Sequence, residues 1–204
     1  MYFLLLVSVL AFSPVVVCLD IIGPTNRANW GTWGLMHYCA EGTYAAGYDM
    51  KIQPKQGVDH DDVSLIAIKL VCLSLDGRRF GGNITSTFGH YFGYWSGVIM
   101  CPNNMFLKEF ALQVEENQHS GDDTAANYIK FRCGRMDSGS CNYELAQTPG
   151  YGFWGVIGGW SRECSTNSAI CGIQTRVEDY HYGGDNTCLN DVKFTCCNDD
   201  SLKK

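Results

Sequence analysis

One pattern occurs three times along this 204-residue chain, and no other feature limits its fold as tightly. Each copy has a Trp-rich lead-in, a Cys, a segment of alternating polarity, an acidic turn, and a second alternating segment that ends in Cys. The first Cys precedes an apolar residue by thirteen positions every time: Cys39 to Ile52, Cys101 to Val114, Cys164 to Val177. The closing Cys follows twenty, nineteen and nineteen positions later, at Cys72, Cys133 and Cys196. The copies run over approximately 29–72, 92–133 and 152–197. A period of about 62 residues exceeds most solenoid units, so three copies close around an axis more readily than they stack in a line. No Pro- or Ser-rich linker divides them, which predicts one domain over 19–197 with a polar, flexible tail at 198–204.

The alternating segments identify the building block. Phe110, Leu112 and Val114 share one parity and Ala111, Gln113 and Glu115 the other, the period of a strand with one buried face. Ile173, Thr175 and Val177 repeat this against Gln174, Arg176 and Glu178. In the closing segments Ile129, Phe131 and Cys133 alternate with Lys130 and Arg132, while Val192, Phe194 and Cys196 alternate with Lys193 and Thr195. The turns are rich in Gly, Asp and Asn and no run has helical periodicity, so the fold class is all-β.

Export follows from the cysteines and the amino-terminal stretch. Tyr2 to Val17 is apolar and uncharged and reads as a signal peptide spanning 1–18, cleaved near Cys18 to Asp20. Its loss leaves ten of the eleven cysteines, an even number suited to an oxidising, extracellular compartment. The repeat pairs Cys39 with Cys72, Cys101 with Cys133, and Cys164 with Cys196. Cys171 with Cys197 and Cys141 with Cys188 would complete five bridges, with an exchange of Cys196 and Cys197 left open. The formal charge of −6 argues against a nucleic-acid partner. No second apolar run is long enough for membrane insertion, no CxxC pair offers a zinc knuckle, and no cofactor motif occurs.

The strings GTYAAGYDMKIQPKQG, EFALQVEENQHSGDDTAANYIKFRC and AICGIQTRVEDYHYGGDNTCLNDVKFTCC resemble the vitelline membrane outer layer protein I family, and the likeness runs from Asn29 to Cys197. That resemblance implies a secreted, disulfide-stapled β-prism of type I: three Greek-key four-stranded sheets about a pseudo-threefold axis. Against the family pattern, the first copy carries DHDD at Asp59 to Asp62 in place of GDDT. Cys141 and Cys188 stand outside the usual eight cysteines, so a fifth bridge is an expectation from the cysteine count and not part of the family pattern.

The acidic turns are the first candidates for chemistry. Asp61, Asp122 and Asp185 occupy one repeat position, and Asp62, Asp123 and Asn186 the next. Their plain role is to satisfy turn N–H groups; their functional alternative is to bind sugar hydroxyls at symmetry-related sites. Asn127 and Asn190 lie on the buried parity, where an amide needs partners, and Ile66 fills the equivalent place in the first copy. They would be ligand contacts if they lined a cleft. Trp30, Trp33, Trp95, Trp154 and Trp160 are core-packing residues first and sugar platforms second. Asn83, Ile84 and Thr85 form a glycosylation sequon. The acidic turns match no EF-hand or RTX spacing, so no metal site is expected. No GxSxG or HExxH string occurs, and Glu115 and Glu178 point outward, which favours a non-enzyme. The expectation is a secreted structural or interaction component of an extracellular coat that binds extracellular glycans or glycoproteins. The alternative is a transferase or hydrolase acting on N-acetylglucosamine oligomers.

Overall fold

The computed structural model describes residues 20–56, 62–87, 92–118, 123–138, 140–180 and 186–199, and among them the chain is all β with no helix. Three long hairpins carry it. In the first, β4 (Tyr44–Ile52) pairs with β5 (Leu65–Leu73); in the second, β9 (Phe106–Val114) with β10 (Ala126–Gly134); in the third, β13 (Ser168–Val177) with β14 (Leu189–Asn198). These are the alternating segments of the three repeats, and all pair antiparallel.

Each hairpin gains a strand on both sides. On sheet I, β6 (Phe80–Thr85) flanks β5, while β7 (Tyr94–Trp95) and β8 (Ile99–Met100) form an interrupted strand along β4. On sheet II, β11 (Cys141–Leu145) flanks β10 and β12 (Val156–Ile157) lies along β9. On sheet III, β1 (Asp20–Ile22) flanks β14, and β2 (Thr32–Trp33) with β3 (His37–Tyr38) runs along β13. The result is the expected β-prism of three four-stranded sheets, the fourth strand being broken in sheets I and III.

The sequence repeat and the sheet are different units. The lead-in of each repeat pairs with the hairpin of the repeat before it, and the first lead-in closes the ring onto the third hairpin. Backbone bonds keep this exchange in step: Gly34, Ser96 and Gly158 donate to the carbonyls of Thr175, Met50 and Leu112 at 2.9, 2.8 and 2.9 Å. The exchange requires glycine at the bend. Gly31, Gly93 and Gly155 have φ of +74°, +83° and +77°. A Cβ there would stand 2.2 to 2.8 Å from the carbonyl oxygen of Val177, Ile52 or Val114, so both the backbone angle and the space exclude a side chain.

Because lead-in and hairpin of one repeat lie on different sheets, the Cys pairs join sheets. Cys39–Cys72 ties sheet III to I, Cys101–Cys133 ties I to II, and Cys164–Cys196 ties II to III. The fourth bridge, Cys171–Cys197, links β13 and β14 within sheet III. Inside the ring the buried face of each hairpin supplies rings to one core. Tyr48 lies 4.7 Å from Phe131, Phe194 lies 4.8 Å from Phe110 and 5.4 Å from Phe131, so residues from all three sheets meet on the axis. Each such side chain contributes about 1.5–3 kcal/mol by leaving water.

A fifth bridge between Cys141 and Cys188 does not fit this frame. Cys141 opposes Gly134, the last residue of β10, whereas Cys188 immediately precedes β14, the equivalent strand. The two therefore sit at opposite ends of strands of nine and ten residues, ~30 Å apart by strand rise, well beyond the ~7 Å Cα separation that a disulfide spans. Cys188 has a different explanation. It shares its repeat position with Ser64 and Ala125, and all three take a left-handed backbone, φ 55°, 51° and 50°. Each carbonyl there receives the N–H of Glu178, Gln53 or Glu115. The side chains reach the next sheet: Ser64 Oγ contacts the Asn127 carbonyl at 3.4 Å and Cys188 Sγ the Ile66 carbonyl at 3.8 Å.

Candidate functional site

The long hairpin strands of the three sheets meet their connecting segments at one end of the prism, where described carboxylates beside those segments hold the backbone. Asp62 Oδ1 accepts the Gln56 N–H at 2.7 Å and Asp123 Oδ1 the Gln118 N–H at 2.9 Å, with both side chains buried. Asn186 is buried at the same repeat position. Asp61, Asp122 and Asp185 lie outside the described residues. The structural role of the second acidic position is thus visible.

A second repeated set was missed by parity alone. Glu115 Oε2 accepts the Thr124 N–H at 3.1 Å and hydroxyl at 2.7 Å; Glu178 Oε2 accepts the Thr187 N–H at 3.1 Å and hydroxyl at 2.5 Å. Those glutamates fasten the return strand, in contrast to the solvated face expected of them. Each Thr oxygen then accepts the amide of the buried Asn, from Asn127 Nδ2 at 2.6 Å and from Asn190 Nδ2 at 2.7 Å. The same amides also donate to the Ala125 and Cys188 carbonyls. In the first repeat Val63 replaces Thr. With no hydroxyl in place of Thr, Gln53 Oε1 takes the Val63 N–H at 2.9 Å, and Ile66 stands where an Asn would lack the hydroxyl partner that Asn127 and Asn190 have.

Asn127 and Asn190 do not converge on one site. They belong to sheets II and III, and both amides turn into their own turns. Their oxygens differ: Asn127 Oδ1 accepts the Trp154 N–H at 3.1 Å, whereas Asn190 Oδ1 is buried without a partner. Asn127 borders a cleft.

That cleft, of about 320 Å³, lies in the seam between sheets I and II at the turn end. Its floor comes from Met50, Ile52, Ser64 and Asn127; its rim comes from Tyr94 on β7 and from the loop that follows β11. Three rings on this rim face solvent, Tyr94 at 57%, Tyr151 at 64% and Phe153 at 57% exposure. The loop is pinned from below. Tyr48 Oη accepts the Gln147 N–H at 3.1 Å, Tyr128 Oη donates to the Gln147 carbonyl, and Gln147 Nε2 donates to the Ser96 carbonyl at 2.9 Å. Burial pushes the Tyr128 hydroxyl up to about 12 and Tyr48 higher still, so both remain neutral donors. No Asp, Glu, Lys or Arg lines this cleft among the described residues.

The opposite wall is held by Gln113, a buried amide on the outer face of β9. Its Nε2 donates to the Trp154 carbonyl at 2.7 Å, and its Oε1 accepts the Gly152 N–H at 2.9 Å. Arg176, one repeat on, performs a simpler version by donating Nε to the Gly31 carbonyl at 3.0 Å. The lead-in tryptophans divide between two surroundings. Trp30 packs against the core, but Trp33, Trp95 and Trp160 lie on the outer faces beside Lys193, Lys69 and Arg132, each with the cation 4.0 Å from the ring centroid.

A larger groove of about 870 Å³ occupies the pseudo-equivalent seam between sheets II and III. Val114, Val156, Gly158, Ala28 and Asn29 stand where the first cleft has Ile52, Tyr94, Ser96, Gly152 and Phe153. The three-ring rim of the I/II cleft is therefore not repeated in the II/III groove. Among the described residues, no group of three or more His, Cys, Asp or Glu side chains is placed to hold a metal ion.

The family model for vitelline membrane outer layer protein I matches residues 20–199. The chain is 35% identical over 178 residues to the vitelline membrane outer layer protein 1 homolog of Mus musculus, covering 87% of this chain and 83% of the mouse protein. The Homo sapiens homolog is 34% identical over 178 residues, covering 87% and 82%. Among solved structures, a mannose-specific jacalin-related lectin from Morus nigra, in complex with mannose, superposes with a TM-score of 0.53 at 12% identity, covering 91% of this chain and 99% of the lectin. Calystegia sepium agglutinin gives 0.51 at 14% identity, with 90% and 99% covered. At these identities the likeness establishes the shared β-prism fold and nothing further.

Proposed function

The chain belongs to the vitelline membrane outer layer protein I family, and from that premise we propose that it is a secreted, non-catalytic component of an extracellular coat that binds glycans through the I/II cleft. The observation that carries this reading is the rim of three solvent-facing rings over an uncharged floor with amide and hydroxyl groups. Aromatic rings left exposed on a rigid frame lose the hydrophobic gain of burial unless a partner covers them. A sugar matches both halves: its apolar face packs on a ring while its hydroxyls reach Gln147 and Ser96. The four disulfides agree with an oxidising compartment.

Asp62 and Asp123 leave this reading, because they serve the backbone. Hydrolysis would require two carboxylates facing each other across a substrate, whereas Glu115 at the edge of the larger groove already holds Thr124 and Gln118. The test is a glycan array with the secreted wild-type protein beside Tyr151→Ala and Phe153→Ala, whose exposed side chains can be removed without opening the core. Each variant should lose about tenfold in affinity, the worth of one stacked ring. An array with no glycan bound would remove the proposal and leave a purely structural coat protein.

A further inference from the structure

The two seams at the turn end share a wall. Gly152 and Phe153 border the I/II cleft, and four residues later Val156 to Gly158 border the II/III groove. The segment between them is a ridge, at most ~18 Å long for five residues. Its crest is apolar and uncovered: Phe153 is 57% and Val156 75% exposed, the latter a β-branched side chain that no packing accounts for.

The ridge is also rigid. Gln113 grips it at Gly152 and Trp154, Asn127 Oδ1 holds the Trp154 N–H, and Gly155 brings it against the Val114 carbonyl. Beyond the crest, Trp30, Asn29 and Arg27 line the floor and edge of the second groove, a ring with hydrogen-bonding groups beside it. The apolar crest is thus flanked on both sides by combinations of aromatic and polar side chains.

We propose that the cleft, the ridge and the groove form one track for a linear, neutral glycan that crosses Phe153 and Val156 with its interior units. This rests on the glycan reading of the I/II cleft and specifies the ligand for it. The length follows from the shared wall, because a disaccharide seated in the cleft leaves Val156 and the whole second groove uncovered. Neutrality follows from charge. Among the described residues no Lys or Arg lines the first cleft, Lys55 lying instead over the Trp154 ring of the ridge at 5.5 Å; the second groove is lined by Glu115 and Glu116 as well as Arg27, and the protein carries a net −6, so a polyanionic chain gains little and is repelled at distance. Preorganisation of the ridge by Gln113 keeps the ordering cost on the ligand side low.

The test is calorimetric titration of the full secreted protein with dimer-to-hexamer ladders of chito-, cello- and manno-oligosaccharides, with heparin as the polyanionic comparison. Affinity should rise by about tenfold or more from dimer to hexamer in a ladder that binds, as successive subsites are filled by one chain. Val156→Asp, an exposed change that should leave the thermal midpoint unaltered, should compress that hexamer-to-dimer ratio toward one. A ladder that binds with no dependence on length overturns the track while leaving the glycan-binding cleft standing. So does a rise that survives in Val156→Asp, tighter binding of heparin, or an array on which branched and terminal sugars bind while every ladder fails. Failure of all ladders together with an empty array overturns the cleft reading and the track with it.

Discussion

Asn127 and Asn190 offer an internal control on what a buried amide is worth, because they are repeat equivalents with different bonding. Both are fully buried. Asn127 makes three hydrogen bonds, to Thr124 Oγ1 at 2.6 Å, the Ala125 carbonyl at 3.2 Å and the Trp154 N–H at 3.1 Å. Asn190 makes two, to Thr187 Oγ1 at 2.7 Å and the Cys188 carbonyl at 3.1 Å, and its oxygen is an orphan. Leu matches the branched shape of Asn and removes every polar atom. At about 1 kcal/mol net per bond, Asn127→Leu should lose ~3 kcal/mol, and it also strands the Trp154 N–H. Asn190→Leu forfeits ~2 kcal/mol of bonds but relieves an unsatisfied oxygen that costs ~1–3 kcal/mol, so its net effect should lie near zero. The expected gap of ~2–3 kcal/mol corresponds to a difference of roughly 5–10 °C in thermal midpoint for a domain of this size. Urea unfolding without reductant, with equal m-values in the two variants, reads it directly. Equal destabilisation by both substitutions would refute the reasoning, since it would mean that the Trp154 contact and the orphaned oxygen carry no weight.

Phe131→Ala, which removes a ring packed against Tyr48 and Phe194, should cost ~3–5 kcal/mol in the same unfolding assay, more than any surface ring. Replacing Cys101 and Cys133 by Ser opens a loop with a sequence separation of 32 and frees the bottom of the I/II seam; a loss of ~3–4 kcal/mol is expected, and a loss below ~1 kcal/mol would show that the sheets need no staple. Burial raises the pKa of Asp191 above the ordinary carboxylate value, the Val192 N–H opposing this only in part. A carboxyl with a raised folded pKa binds its proton more tightly when folded, so ionising it costs stability; the penalty is absent below the ordinary carboxylate range and complete above the raised value. Asp191→Asn should therefore stabilise the protein at neutral pH, and the gain should vanish as pH falls through that window; a gain that persists at acid pH would point to a cause other than charge. Asn83 is exposed on the edge strand β6 within its sequon, so protein secreted from eukaryotic cells should lose mass on treatment with an N-glycanase, and Asn83→Gln should abolish that shift.

The parts of this fold that read clearly from sequence are those in which a physical requirement repeats. Strand parity put Phe110, Phe131 and Phe194 inside, and the thirteen-residue interval aligned Cys39, Cys101 and Cys164. The exchange of lead-ins between sheets left a weaker mark. Strands of two residues have no periodicity to detect, and the one available signal was the regular spacing of Gly31, Gly93 and Gly155. Parity also misled where a side chain on the outer face does structural work. Gln113 looked solvent-directed, yet it is 5% exposed and clamps the Trp154 turn. Likewise an even cysteine count made a fifth bridge look natural, although Cys188 merely fills a position where the other repeats use Ser64 and Ala125.

The I/II cleft was illegible for a related reason. Its rim is built by Gln147 to Phe153, a stretch whose counterpart at 86–92 carries Phe88, Tyr91 and Phe92 while that at 23–30 carries Trp30 as its one ring, so a comparison of copies gives no consistent signal. Symmetry accounts for the frame: the same turn bonds, the same left-handed residue before each return strand, the same glycine bend. A side chain that serves the frame should therefore recur in kind, as Glu115 and Glu178 do. One that serves a ligand has no such obligation. Tyr94 gives way to Val156 in the next seam, and Phe153 corresponds to Asn29, though the backbone beneath each pair is equivalent. Asn127 lies on the boundary between these two kinds of residue. Its amide repeats the frame bond seen at Asn190, while its oxygen holds Trp154 and with it the wall on which the proposed glycan rests. Loss of that one bond should thus weaken stability and binding together, whereas loss of Tyr151 should weaken binding alone.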